Sequence, residues 1–303
     1  MKRKTILLIC SLMMLLGCKN QSNKDLFKST SWYYLFDGKE YISFTSNEVI
    51  LYETKWDTIQ NKIIQTGNVI KTDYVLTDSS ISYTYKYKWQ GKDTIMNVIS
   101  KYDLISINNK ILLVVYNKSA NDKIHASCYS PKDNIDLKKS TNNLIPLEFK
   151  IKGYSIGDTI DIKKWKLIKS ETQKGYGSGD YILDEYQSLS DEKLNIKVIG
   201  HNYIYEIKQL DIDDNEIENI KNVVSKKVGK KADCHDIKTE TWNGRIYAYT
   251  VCFWFHDSGT NVILTHDEDV YGIKRWELKL ENDVKTRILC HVFSQANVSS
   301  IIE

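Results

Sequence analysis

The chain has 303 residues, with 42 lysines and arginines against 39 aspartates and glutamates, and a formal charge of +3. Beyond its amino end it holds only short basic pairs such as Lys226–Lys227 and Lys230–Lys231, which read as a solvated surface and exclude a nucleic-acid partner. Twenty tyrosines, two prolines and a wealth of Ile, Val and Thr favour strands and a folded body over a disordered tail.

The first element is a basic segment, Lys2-Arg3-Lys4, followed by an apolar run over 5–17. That run is shorter than the roughly 20 residues a membrane-spanning helix needs. Basic, then short apolar, then a small residue reads as a secretory signal, 1–17. Leu15-Leu16-Gly17-Cys18 resembles the lipobox of bacterial lipoproteins at its –3 to +1 positions. The resemblance implies that the Cys18 thiol takes a diacylglyceryl group and becomes the new amino terminus after cleavage. It implies a lipid-anchored cell-envelope protein with the membrane as its first partner. Lys19 stands where enteric lipoproteins retained in the inner membrane carry Asp, which favours the outer membrane in a cell that has one. An ordinary signal peptide with a chance cysteine is the other reading. Loss of 1–17 removes three basic residues and leaves 286 residues with 39 charges of each sign. Residues 19–25 carry no apolar side chain, so 18–25 reads as a lipidated tether.

The first domain is expected over 26–130. Asp37-Gly38 lies between β-prone runs and signals a hairpin. Further turns are expected at Asp78-Ser79-Ser80, Gln90-Gly91-Lys92 and Asn108-Asn109. Between them, Ile81, Tyr83, Tyr85, Tyr87 and Trp89 alternate with Ser82, Thr84, Lys86 and Lys88, a strand with one aromatic face. Seven or eight short strands without a helix predict an antiparallel small barrel or sandwich. Trp32 in the first strand, "YISFTSNEVILYE" and "ISKYDLISINNKILLVVY" are similar to the lipocalin-like domains of bacterial lipoproteins. That resemblance implies a barrel for a small apolar ligand, lined by Trp32, Tyr83, Tyr85, Tyr87 and Trp89. Aromatics that merely fill a closed core are the alternative.

Both prolines fall in "SPKDNIDLKKSTNNLIP", so 131–146 reads as a linker. The second domain, 147–303, opens with strands in "LEFKIKGYSIGDTIDI" and "KWKLIKSE". The glycine-rich "KGYGSGDY" has Asp180 where a dinucleotide fingerprint needs its third glycine and reads as a mobile loop. Two strands follow in "KLNIKVIGHNYIYEIKQLDI". The period then changes: Ile217, Ile220, Val223, Val224 and Val228 share one helical face, with Asp213 or Asp214 as cap and Gly229 as stop. Four strands come next, and Val284, Ile288 and Val292 mark a short closing helix. The whole is mainly β, with a second α+β domain built as an antiparallel sheet and one packed amphipathic helix.

Beyond Cys18, the exported cysteines are Cys128, Cys234, Cys252 and Cys290, and no two lie within four residues, which excludes common zinc patterns. If Trp242-Asn243-Gly244 forms a three-residue hairpin loop, Cys234 faces Cys252 and the two can bridge. A two-residue Asn-Gly turn puts them on opposite faces. His256 and His266 lie on two arms of a hairpin, roughly 16 Å apart, and cannot share an ion. Asp267 and Asp269 lack the spacing of a calcium loop. Ser178 lacks the flanking glycines of a nucleophile elbow, because Tyr176 and Asp180 stand there. No catalytic set, metal site or cofactor site emerges. The expected function is a non-catalytic binding module, for a small apolar ligand in the first domain. The alternative is an accessory or inhibitory lipoprotein for an exported protein partner, and an envelope hydrolase ranks below both.

Overall fold

The computed structural model describes residues 23–36, 39–57, 59, 62–89, 92–118, 124–133, 135, 137, 147–173, 180–200, 202–240, 246–268 and 274–294. Eight strands form the first half: β1 (Trp32–Phe36), β2 (Lys39–Phe44), β3 (Glu48–Asp57), β4 (Lys62–Leu76), β5 (Ser80–Trp89), β6 (Lys92–Ile107), β7 (Lys110–Lys118) and β8 (Ile124–Pro131). They pair antiparallel in chain order and close into a barrel. Alternation sets which side faces in: on β4, Thr72, Tyr74 and Leu76 are shielded while Lys71, Asp73 and Val75 are exposed. The turn at Asn108-Asn109 places both residues at positive φ, 49° and 61°, the conformation that a tight hairpin demands and that Asn tolerates. Asp37 and Gly38 lie outside the described residues, but Phe36 pairs with Lys39 across them. The strands are not uniformly short: β4 runs 15 residues and β6 runs 16.

Helix α1 (Asn23–Lys28) precedes the barrel and takes in the last three residues, 23–25, of the stretch expected as tether. It closes one end of the barrel. Phe27 is fully buried against the rings of Trp32, Phe44, Tyr74 and Tyr102. The Trp32 indole N–H donates to the Phe27 carbonyl at 2.8 Å. The start of the expected linker also belongs to this end. Thr30 Oγ1 donates to Asp133 at 2.8 Å, and Ile135 and Leu137 pack on the barrel core. These two apolar side chains hold the strand exit in place.

The second half is an eight-stranded antiparallel sheet: β9 (Trp165–Gln173), β10 (Tyr181–Ser188), β11 (Leu194–Ile199), β12 (Tyr203–Ile212), β13 (Asp233–Glu240), β14 (Ile246–Phe255), β15 (Thr260–Glu268) and β16 (Lys274–Asn282), in the order β13-β14-β15-β16-β12-β11-β10-β9. Segment 147–162, expected as strand, is instead an irregular run with two isolated bridges, Ile151 to Tyr154 and Thr159 to Tyr203. Its backbone reverses at Lys152-Gly153 and again at Gly157, all at positive φ, so Phe149, Ile151, Ile156 and Ile160 all reach the core edge. Helix α2 (Asp214–Val228) covers one face of the sheet. Ile217, Val224 and Val228 are buried, and Gly229 ends the helix at φ 75°. Val223, predicted on the apolar face, is instead 54 % exposed, at the edge of the contact.

Helix α3 (Asp283–Phe293) joins the two halves. Its Val284, Ile288 and Val292 pack on Leu112, Val114, Tyr116, Ala126 and Cys128 of the barrel's outer wall. Leu289 packs on Leu183 and Ile199 of the sheet, with Cys290 and Phe293 against the same cluster. The uninterrupted apolar run of β7 has its explanation here. Leu113 and Val115 fill the barrel while Leu112, Val114 and Tyr116 face α3, and a strand covered on both faces loses its alternation. Asn282 caps the helix by accepting from the Lys285 N–H at 2.8 Å. Lys110, from the barrel, donates to the Val292 carbonyl in the last turn. Gly200 lets the Phe293 ring close in, since a Cβ there would lie 2.3 Å from it.

Cys234 and Cys252 pair directly across β13 and β14 and form a disulfide. Residues 241–245, which hold the turn argued from the sequence, lie outside the described residues. The flanking register pairs Glu240 with Ile246 and matches the three-residue-loop alternative. Replacing both cysteines by alanine should cost about 3 kcal/mol, because the bridge closes a loop of 18 residues. Urea denaturation of oxidised wild type and of the double variant measures this, and identical midpoints would remove the bridge from the stability account.

Candidate functional site

The barrel is paired unevenly. Among the described residues, β4 meets β5 only at 74–76, β2 meets β3 only at 42–44, and β1 meets β8 only at Trp32 and Tyr33. All three short seams lie at the end that α1 plugs. Toward the other end these strands diverge, and the long hairpins β3–β4 and β5–β6 continue past them. Thr72 Oγ1 spans the widening β4–β5 gap by donating to the Thr84 carbonyl at 2.8 Å.

The interior face changes along the same axis. Ile81, Leu104, Val115 and Phe44 are buried near the plug. Further along β5, Tyr83, Tyr85 and Tyr87 are half-buried on the same face, with ring centroids 6.1 and 5.7 Å apart along the strand. Met96, opposite Tyr85, is 41 % exposed. Tyr34 joins this lining, 6.4 Å from Tyr41 and 5.7 Å from Tyr129, and Phe44 bridges to Tyr83 and Tyr129 at 6.2 and 5.0 Å. Burial pushes the Tyr83 phenol up to about 12, with Tyr85 adding to it. Burial likewise raises Tyr34 and Tyr85. The lining is therefore neutral near pH 7: aromatic walls with hydroxyls that can donate or accept.

Of the sequence candidates, Tyr83, Tyr85 and Tyr87 share this face. Trp32 does not line the open region: it is fully buried at the plugged end, held by its bond to Phe27, and belongs to the seal. The side chain of Trp89 lies outside what is described, although its backbone pairs with Lys92 as the last residue of β5. Cys18 also lies outside the described residues. Sequence reasoning missed Tyr34, Tyr41, Tyr129 and Met96, because each carries the period-two signal of any strand and only closure of the barrel brings them to β5. It missed Phe27 because a six-residue helix has too few turns to show a period.

Among the described residues no other catalytic or metal-binding set is assembled. His256 hydrogen-bonds Ser258 beside its turn, and His266 stacks on Trp276 at 4.3 Å. Ser178 and Asp269 lie outside the described residues. Ser130 Oγ lies 3.1 Å from His291 Nε2, but the histidine is buried where α3 meets the barrel. Among the described residues no three His, Cys, Asp or Glu side chains group as metal ligands, and no helix is long and apolar enough to cross a membrane. The chain matches no protein-family model and no curated protein.

Proposed function

We propose that this chain is a lipid-anchored envelope protein, held by Cys18, whose barrel binds an elongated apolar ligand at its tyrosine-lined end. One observation carries the reading: on a single face of β5, burial falls from complete at Ile81 to partial at Tyr83, Tyr85 and Tyr87, where the neighbouring seams part. A solidly filled barrel would hide interior-facing rings along its whole length. Aromatic walls with few charges suit an apolar body, and the phenol groups can orient a polar end.

The test uses a Cys18→Ser chain and the fluorescent probe N-phenyl-1-naphthylamine. Wild-type barrel should give a saturable increase in emission. Tyr83→Ala with Tyr85→Ala should weaken binding about tenfold, the equivalent of losing one to two aromatic contacts. Absence of saturable binding, or equal affinity in the double variant, would overturn the ligand reading. The anchor is tested separately: Cys18→Ser should move the protein from the membrane to the soluble fraction, and unchanged fractionation would refute it.

A second reading, an accessory protein for an exported partner, rests on the outer wall. Val75 and Ile99 flank Ser82 across three strands there, and Ile99 is 82 % exposed. Under that reading, Val75→Ser with Ile99→Ser abolishes activity in the cell while leaving probe binding intact.

A further inference from the structure

On the α2-covered face of the second sheet lies a groove of about 440 Å³, away from the barrel. Phe149, Ile151, Ile212 and Leu278 line it from the sheet side, and Ile220 and the exposed Val223 from α2. Gln209 on the sheet and Asn219 on α2 are the uncharged polar residues among them. Gln209 pairs with Leu194 on one side and Leu278 on the other, so its side chain shares their helix-facing side. Beyond Gln209 the register of β12 against β16 shifts, and the backbone passes through Asp211 at φ 49° before Ile212 resumes the core. Gln209 Oε1 is buried without a hydrogen-bond donor among the described residues. A desolvated acceptor lacking a partner is destabilising, and native proteins seldom leave one.

The charges at the rim do not select an ion. Lys152 pairs with Asp191 at 3.9 Å, Arg275 with Asp211 at 3.0 Å, and Lys193 donates to the Asp211 carbonyl. Lys150 stands with Asp213 and Glu216 as the remaining rim charges, of both signs. The volume falls in the range of small-molecule sites, which are apolar with a few placed polar groups. We infer that this groove is a second binding site. It takes a neutral, apolar molecule of ring-like size with one hydrogen-bond donor, a phenol or an amide N–H, directed at Gln209 Oε1.

Two probes separate the donor from the apolar body: 4-phenylphenol and its methyl ether, titrated by calorimetry into the Cys18→Ser chain. The phenol should bind saturably and about tenfold more tightly than the ether, the worth of one neutral hydrogen bond. Gln209→Leu should erase that preference while leaving the thermal midpoint of the free protein unchanged or raised. Val223→Trp, at an exposed helix position, should fill the groove and abolish binding of both probes. Tyr83→Ala with Tyr85→Ala should change neither affinity, which separates this site from the barrel. Equal affinity for the two probes, binding that survives Val223→Trp, or no saturable binding of the phenol would each overturn the assignment.

Discussion

Phe27→Ala is expected to lower the stability of the protein by about 3–5 kcal/mol, the cost of deleting a fully buried phenylalanine. The ring makes four aromatic contacts, with centroids 5.3–6.2 Å away, to Trp32 on β1, Phe44 on β2, Tyr74 on β4 and Tyr102 on β6. Those partners sit on four different strands whose backbones are fixed by pairing, so they cannot collapse into the space left behind. The helix that carries Phe27 has six residues, too few to be stable alone. Its order depends on burying Phe27 and Leu26 in the barrel core and on the Trp32 hydrogen bond, and losing the ring removes the larger of the two insertions. Denaturant midpoints for wild type, Phe27→Ala and Phe27→Leu measure the effect, with Leu expected to retain more than half of the stability that Ala loses. A loss below about 1 kcal/mol for the alanine variant would show that the plug does not hold the barrel.

Acidification should weaken the junction between the two halves. Burial, with a smaller contribution from nearby Lys110, lowers His291 to about 4 in the folded protein, against 6.5 in the unfolded chain. Between those values the unfolded state binds a proton that the folded state refuses. Stability therefore rises with pH across that window and is lost as pH falls from about 6.5 to 4, with no further contribution from this group below it. The loss amounts to about 3 kcal/mol on linkage arithmetic. His291 sits on the helix that touches both halves, 3.1 Å from Ser130 and near Lys110, whose ammonium already occupies the carbonyl end of α3. His291→Gln keeps a partner for Ser130 without titrating in this range. The wild type should lose about 3 kcal/mol more than this variant between pH 6.5 and 4. Parallel stability–pH curves would assign the acid sensitivity elsewhere.

Local pattern was legible in the sequence; long-range closure was not. The period of two in "ISYTYKYKW" identified β5 and its inward face, because alternation is a property of the strand itself. The register that sets Cys234 opposite Cys252 followed from a turn length, again a local quantity, although two lengths remained open. The helix over 214–228 announced itself by apolar spacing and a terminal glycine, yet Val223 proved exposed, because spacing gives a face and not the width of the contact. The closing helix was visible at Val284, Ile288 and Val292, but its role was not. Nothing local distinguishes a helix lying on its own sheet from one lying on the outer wall of another unit. The apolar run of β7 held that information, since a strand without alternation must be covered twice. The groove beside Gln209 was illegible for the same reason: the bulge and helix that follow one another at 209–228 form it only together with the distant irregular segment at 149–152 and Leu278 of β16.

The position of α1 fixes a direction. Cys18 precedes Asn23, the first residue of the plug, by five peptide steps, a span of at most about 17 Å when fully extended. With Cys18 acylated as proposed, the sealed floor of the barrel is moored close to the bilayer. The parted seams and the tyrosine ladder then point outward, into the aqueous compartment. Ligand would be exchanged with whatever arrives from that side, and the anchoring leaflet would be a mooring and not the source of the cargo.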